Sequence, residues 1–549
     1  MSEQELKLHV PASARRAVLQ EVRQRDATRI RLHAMYFDTP ARELARARIA
    51  LRLRQEGRNW VQTLKMPGSD AITRVEINHP RPGPVLDLSV YAGTEFEGPL
   101  ASIKGELGLR YETDVQRLLR NVRSRYGTIE LAYDTGVLRA GSLELPISEL
   151  EFELVSGRPS AIFSIARRWQ QHHGLLLDTR SKSERGDALA GLAQKLTELE
   201  GDAESVQAQR SAAIASFWAP CGASSVQLDD SLTPPQAMGC IAGECLDQIA
   251  RNAAILAEVD TLGIYPAGNS EHVHQLRVGM RRLRSAWRLF DGWIASPPAA
   301  VSEGVRTLFT AFGQNRDQDV LNETVAPVLQ RAGMPAINFE TPPPEVDSQS
   351  IASSKEFQGW LLHALEWSLD VQPPKPEPMP VMAESSDTAP EPTFSLDGTA
   401  VFTPAPRTII IPLMADTEKA PQLSKLLAKR LHRWHTKVAK QGEHFASLDI
   451  PARHDLRKRG KRLRYGLAFA ESLLPQTRLR GYRKQLARVQ DLLGEINDLA
   501  MAKDYYQACV GTHPQAWFAL GWISARLDKL IAEAQLAFDQ LAASKPFWK

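Results

Sequence analysis

The sequence is poor in several things, and each shortage narrows its reading. Cysteine is scarce: Cys221, Cys240, Cys245 and Cys509 are the four in 549 residues. They are too few for a disulfide scaffold. Cys240 and Cys245 have no second pair at zinc spacing, so the thiols read as reduced and metal-free. No stretch approaches the ~20 apolar residues that span a bilayer, and the first ten residues carry no apolar signal core. The expectation is a cytoplasmic protein with no membrane partner. No glycine-rich loop of the P-loop type occurs, which argues against a Walker-type nucleotide enzyme. Net charge is small as well, +3 from 67 basic and 64 acidic residues. Any polyanion-binding surface must therefore come from local clustering.

What is present divides the chain in two. Up to about residue 157 the hydrophobic period is mostly two: "IALRLRQ", "NWVQTLKM", "TRVEINH", "TIELAYDTG" and "SELEFELVSG" alternate apolar and polar residues between turn residues. Many short alternating strands predict a closed or sandwiched antiparallel sheet. Helical patterns interrupt it at "ASARRAVLQEVRQR" and "SAIFSIARRWQQHHG", the second ending on Gly174 as a C-cap. "GDAESVQAQRSAAIASF" reads as a helical linker. After about residue 230 nearly everything reads as helix, except Val371 to Phe394, where seven prolines in twenty-four residues predict a disordered insert.

The helical half repeats itself. "HQLRVGMRRLR" (His274 to Arg284) matches "HDLRKRGKRLR" (His454 to Arg464), and "GQNRD" (Gly313 to Asp317) matches "GEIND" (Gly494 to Asp498) in the same order. This predicts a duplicated helical bundle. At 100° per residue, His274, Arg277, Arg281, Arg284 and Arg288 fall on one stripe about 80° wide. Leu276, Met280, Leu283, Trp287 and Phe290 lie opposite at core spacing. In the second copy His454, Arg457, Lys461 and Arg464 face Leu456, Leu463 and Leu467. A cationic helix face is ordinarily a solvated surface of i,i+4 salt bridges. These stripes hold too few acids to neutralise themselves, which suits them to a row of phosphates.

The strands of the first half carry charge of both signs on one face. Glu3, Glu5 and Lys7 share a face, as do Arg52 and Arg54, Arg74 and Glu76, Glu130 and Asp134, and Glu149, Glu151 and Glu153; Lys65 and Arg117 lie in further strands. Singly, each is an ordinary wet strand face. If the sheet closes under helices, the charges line its interior. A buried carboxylate cluster is costly unless it holds cations, and hard oxygen ligands favour Mg²⁺ or Mn²⁺. A neighbouring set of Arg and Lys complements an anion with several phosphates. Together these are the parts for metal-assisted phosphoanhydride hydrolysis.

"EQELKL" resembles the ExExK signature that opens the CYTH domain of the triphosphate tunnel metalloenzymes. "YFDT", "LRLR", "TLK", "TRVEI", "DVQR", "IELAYDTG", "ELEFEL" and "SKSERG" follow in the family's order, over about residues 1–195. The helical half resembles the CHAD domain, known for binding inorganic polyphosphate: its histidine-and-arginine helix is matched twice, and "RDQDV" and "LQDLLGEIND" are similar to its marks. In "GEIND", Asn497 replaces the first copy's Arg316, so the copies are not expected to bind alike.

The resemblance implies an α+β chain, with an N-terminal closed eight-stranded antiparallel β tunnel flanked by helices, then an all-α duplicated helical-bundle domain. The boundaries expected are 1–198 for the tunnel domain, 199–229 for a linker and 230–545 for the helical domain. The latter's repeats span about 230–340 and 415–545, with the proline-rich insert at about 371–406. It also implies metal ligands among Glu3, Glu5, Glu149, Glu151 and Glu153. Phosphate contacts are implied at Lys7, Arg52, Arg54, Lys65, Arg74, Arg117, Lys182 and Arg185, with Glu3, Glu5, Lys7 and Glu151 as the catalytic set. Polyphosphate would bind at His274, Arg277, Arg281, Arg284, His454, Arg457, Lys461 and Arg464.

The expected reaction is metal-dependent hydrolysis of tripolyphosphate to pyrophosphate and phosphate, little affected by trimming the helical half. The alternatives are an adenylate cyclase or other organic triphosphatase of the same fold, and a non-catalytic polyphosphate binder. The carboxylates argue against the last, because a pure anion binder has no use for them. Nucleic acid is the weaker partner, since no aromatic stacking platform accompanies the stripes.

Overall fold

A computed structural model describes residues 2–24, 26–68, 70–257, 259, 268–313, 321–335, 337, 347–373 and 422–544. "GQNRD" beyond Gly313, "RDQDV", and the proline-rich insert from 374 onward lie outside these residues.

Among the described residues, nine strands form one sheet: β1 (Ser2–His9), β2 (Thr28–Asp38), β3 (Ala50–Glu56), β4 (Asn59–Pro67), β5 (Thr73–Arg81), β6 (Gly108–Ser124), β7 (Gly127–Ala140), β8 (Leu143–Gly157) and β9 (Leu176–Leu177). Their order is β5-β4-β3-β2-β6-β7-β8-β1-β9, and β1 pairs back onto β5 at Ser2↔Val75, Glu3↔Arg74 and Gln4↔Thr73. The closure makes an eight-stranded antiparallel barrel, with β9 as a short extra rung beside Leu8 and His9. Strands β1, β2 and β6 complete the five quoted above for their alternation.

The barrel is built inside out. On β1, Leu6 and Leu8 point outward and are buried; on β8, Leu150 and Phe152 do the same, and on β7 Ile129, Leu131 and Tyr133. Because strand side chains alternate faces, Glu3, Glu5, Lys7, Glu130, Asp134, Glu149, Glu151 and Glu153 are turned inward. The outer apolar face is covered by α1 (Ser160–His173), through Ile162, Phe163, Ala166 and Trp169. That helix ends at Gly174, whose φ of 64° is the left-handed C-cap that glycine adopts without Cβ strain. Helix α2 (Lys182–Thr197) follows, its N-terminus capped by the Ser181 hydroxyl, which accepts from Glu184 N–H at 3.1 Å.

The stretch read as a helical linker contains a helix at Ala203–Phe217. Beyond it the longer helices are α3 (Pro234–Leu256), α4 (Ser270–Leu289), α5 (Lys355–Leu369), α6 (Leu423–Gly442), α7 (Ile450–Phe469), α8 (Gln476–Cys509) and α9 (Ala516–Ala542). The repeated motifs sit on α4 and α7. Leu276, Met280, Leu283 and Phe290, and Leu456, Leu463 and Leu467, are buried as their spacing predicts. A single apolar core runs from the barrel's outer face through α1 into these helices. The two halves are therefore packed together rather than strung on a linker. No described helix is long and apolar enough to cross a membrane.

Candidate functional site

The barrel encloses a cavity of about 320 Å³, lined, among the described residues, by seven cationic and nine acidic side chains. Its charges sort into two groups that differ in how they are neutralised.

In the first, carboxylates stand together. Glu5 lies opposite Glu153 across β1 and β8, and Glu153 opposite Glu130 across β8 and β7; Glu3 is two residues along the same face. Like charges directly opposed on neighbouring strands are destabilising. Cations are near but loosely placed: Arg74 Nε is 3.8 Å from Glu5 and Lys65 Nζ 3.9 Å from Glu3, while Lys65 pairs closely with Glu76 instead. Burial, then the charges of Glu3, Glu130 and Glu5, push the Glu153 carboxyl up to about 7. Burial and Glu76 raise that of Glu3, with Lys65 opposing.

In the second group the carboxylates are saturated. Asp134, Glu149 and Glu151 lie close enough to share one ion. Yet Arg117 donates to both oxygens of Asp134 at 2.7 Å, and also to Glu151. Lys182 Nζ is 2.7 Å from Asp134 and from Glu151 and also pairs with Glu149; Arg185 bonds Glu149, and Lys7 Nζ lies 3.8 Å from it. Burial alone would raise the Glu149 carboxyl, but Lys182, Lys7 and Arg185 outweigh it and hold it at about 2. Glu151 is likewise held well below the usual range, by Lys182 and Arg117 against its burial. The carboxylates close enough to share one ion are thus the ones already ion-paired, whereas Glu3, Glu5, Glu130 and Glu153 are the less neutralised group.

The residues singled out for phosphate mostly converge here. Lys7, Arg52, Arg54, Lys65, Arg74, Arg117 and Lys182 line the cavity. Arg52 pairs with Glu76 at 3.3 Å, Arg54 with Glu56, and Lys7 donates to the Arg180 carbonyl. Burial lowers the Lys7 ammonium, with Glu149 opposing. Arg185 is not in the lining; it stands behind Glu149. Five of the six residues of "SKSERG" have a distinct physical task. Ser181 caps, Lys182 enters the tunnel, Glu184 turns outward to Arg251, Arg185 braces Glu149, and Gly186 packs on Tyr111. A Cβ on Gly186 would come within 2.3 Å of that ring, which stacks on the tunnel's Tyr36 at 4.6 Å.

Sequence reading assigned no role to Glu76, Glu130, Asp134, Asp178 or Arg180. The period-two faces already contained the signal for the first three. Asp178 and Arg180, which bond each other at 2.8 Å, lie in an irregular stretch after β9 where periodicity says nothing.

In the helical half, α4 and α7 pack against each other, and Arg281 of one stripe comes near Arg457 and Lys461 of the other. Lys461 is the clearest indicator. Burial, then the charges of Arg281 and Arg457, press its ammonium down to about 7, with Asp498 opposing only in part. Arg457 is lowered by burial and by Arg281, again against Asp498; Arg284 is lowered by burial and by Arg306, Arg462 and Arg288. The Nε atoms of Arg281 and Arg457 are buried with no hydrogen-bond partner among the described residues. The guanidinium carbons of Arg277, Arg281 and Arg284 lie 4.6, 5.9 and 5.7 Å from the centre of the Phe309 ring, a floor that the repeat pattern did not reveal. Arg464 bonds Gln490 at 3.1 Å. His454 contacts Asn497 at 3.3 Å, and burial, then Lys458, lower its pKa. His274 lies on α4 at the stripe's start and is half-buried.

Comparison with known proteins agrees with this division. Residues 1–186 match the CYTH domain family and residues 240–507 the CHAD domain family. A relative from Haemophilus influenzae named inorganic triphosphatase is 32% identical over 169 residues, which is 30% of this chain and 47% of the relative. The matched region thus spans about half that relative's length. Among solved structures, the CHAD domain of the plant Ricinus communis is 24% identical, with 60% of this chain and 98% of that one covered and a TM-score of 0.39. A Hippeastrum protein, described as an adenylyl cyclase with a dominant triphosphatase activity, is 19% identical, with 34% and 94% covered and a TM-score of 0.25.

Proposed function

In a chain that carries a CYTH domain followed by a CHAD domain, we propose that the tunnel hydrolyses inorganic tripolyphosphate to pyrophosphate and phosphate with Mg²⁺ or Mn²⁺, and that the cationic stripes bind inorganic polyphosphate. The observation that carries the reading is the cluster of Glu3, Glu5, Glu130 and Glu153, facing inward with cations only at 3.8 Å from Glu5 and 3.9 Å from Glu3, in the same cavity as Arg52, Arg54, Lys65 and Arg74. With nine acids against seven bases, the tunnel walls alone repel a polyanion. A divalent cation cancels that excess of two negative charges and supplies Lewis-acid neutralisation of phosphate oxygens when bound.

Glu3, Glu5, Glu130 and Glu153 would hold the cation. Arg52, Arg54, Lys65 and Arg74 bind and orient the phosphoryl groups, and their fixed charge stabilises the pyrophosphate that leaves. Arg117, Lys182 and Lys7 remain tethered to Asp134, Glu149 and Glu151, which keeps them positioned without collapse onto the product. The bond broken is one P–O–P anhydride, and water supplies the oxygen of the released phosphate. Helix α4 meets α7 where Arg281, Arg457 and Lys461 repel one another, and a chain of phosphates relieves that repulsion.

The test is a panel of tripolyphosphate, ATP and long-chain polyphosphate against Mg²⁺ and Mn²⁺, scored by phosphate release. Release from tripolyphosphate with either metal is the expected result. Affinity for phosphate chains without turnover of any substrate would leave a binding protein, and cyclic AMP from ATP would make it a cyclase.

A further inference from the structure

The segment from Leu177 to Arg185 has two sides. One side serves the tunnel: Lys182 reaches Asp134 and Glu151 at 2.7 Å, Arg185 braces Glu149, and the Arg180 carbonyl receives Lys7. The other side is held by the helical half. Thr179 Oγ1 donates to Asp247 of α3 at 2.7 Å, and Leu177 N–H donates to Gln358 of α5 at 2.7 Å. Arg251 of α3 grips Glu184 with two nitrogens, Nη2 at 3.0 Å, while its Nε bonds Asp247 at 2.6 Å. The guanidinium of Arg180 lies 4.3 Å from the centre of the Trp218 ring, and Trp218 in turn gives its carbonyl to His272 of α4 at 3.0 Å.

Residues 178–181 belong to no strand or helix, so no backbone ladder fixes their path. Their position is set by side chains, and the hydrogen-bonding partners on one side come from helices beyond residue 230, while the stacking partner Trp218 is itself bonded to one of them. Burial works against the charge of Arg251, but its bonds to Glu184 and Asp247 more than offset it. Leu365 of α5 itself contributes to the tunnel lining. From these contacts we infer that Asp247 and Arg251 are positioning residues of the triphosphate site: they hold the strap that carries Lys182 and Arg185, so the helical half is part of the tunnel's working geometry. This rests on the reading of the tunnel as a triphosphate site. It also reverses the sequence-based expectation that trimming the helical half leaves turnover little affected.

The test uses the full chain. Asp247 and Glu184 are partly exposed, at 37% and 43%, so their pairs with Arg251 contribute little to stability and the variants should fold. In Asp247→Ala/Arg251→Ala, KM for tripolyphosphate should rise about tenfold with a smaller fall in kcat, as expected when a binding group is displaced rather than deleted. Arg251→Lys should recover part of the loss. Arg526→Ala, which removes an ion pair to Glu495 remote from the strap, should change neither constant. A double variant with KM and kcat within about twofold of wild type overturns the inference while leaving the tunnel reading intact.

Calorimetric affinity for tripolyphosphate supplies a readout independent of turnover. It is measured in chains whose stripes are disabled by Arg281→Ala, Arg457→Ala and Lys461→Ala. Binding without hydrolysis by the wild-type tunnel overturns the hydrolase, and the same affinity ratio then decides the strap. A tunnel that neither binds nor hydrolyses overturns both.

Discussion

Glu5 and Glu153 face each other across β1 and β8, two carboxylates in directly opposed register inside a closed barrel. Four residues back along β8, Glu149 is buried against Lys182, Arg185 and Lys7. The two acids share a strand and a face, yet their chemistry is opposite, and this contrast can be measured.

Glu153→Gln should lower metal-dependent phosphate release by on the order of 100-fold, the range found when a metal site loses support. In metal-free buffer its melting temperature should stay level or rise, because a repelling charge is gone. Glu149→Gln strips buried cations of a partner and should cost about 3–5 kcal/mol. Thermal melts of both proteins, with and without Mn²⁺, check this; identical melts would sink the distinction between the two acidic groups.

For the stripes, Arg281→Ala combined with Lys461→Ala should weaken polyphosphate binding and flatten its salt dependence. Each cation that no longer neutralises a phosphate should reduce the log–log slope by about 0.7, taking single-stranded polyanions as the guide. Titrations at several salt concentrations measure the slope. An unchanged slope would show that the stripes do not touch the phosphate chain.

Lys461 also predicts a pH dependence. Its ammonium is pushed down to about 7 in the free protein, and a bound anion raises it again. Protonation and binding are therefore linked: below pH 7 the charge is already present, and as pH rises above about 7 binding must recruit a proton, so affinity falls. In Lys461→Met this decline should be much reduced. A fall of the same size in wild type and Lys461→Met assigns it elsewhere.

Gly186→Ala should destabilise the tunnel half by about 1–3 kcal/mol, the usual range for overpacking, since the new methyl meets the Tyr111 ring at 2.3 Å. The displaced ring also pushes on Tyr36 in the lining. Gly186→Ala with Tyr111→Leu should recover part of the stability, and melting curves of the single and double variants provide the check.

Much of this could be read from the chain itself. Alternation in "ELKL", "IELAYD" and "ELEFEL" put charge on one face and leucine, isoleucine and phenylalanine on the other, because a strand's side chains have a period of two. Helical spacing in "HQLRVGMRRLR" and "HDLRKRGKRLR" separated the cationic stripes from the core in the same local way. Short-range periodicity thus determined which face of each element was apolar, and the ordered motifs identified two domains.

The tertiary structure alone decided which charges meet. Glu5, Glu130 and Glu153 are distant in sequence and become one cluster only when β1, β8 and β7 lie side by side. Arg281 and Lys461 come from different repeats and repel each other only because α4 packs on α7. Arg251 reaches Glu184 across the two halves. Electrostatic energy depends on distance and burial, and neither is encoded by spacing along a chain. The residue types were therefore legible from sequence, while their division into loosely neutralised carboxylates, closely ion-paired groups and contacts between the two halves was set by the closing of the barrel and the docking of the helices upon it.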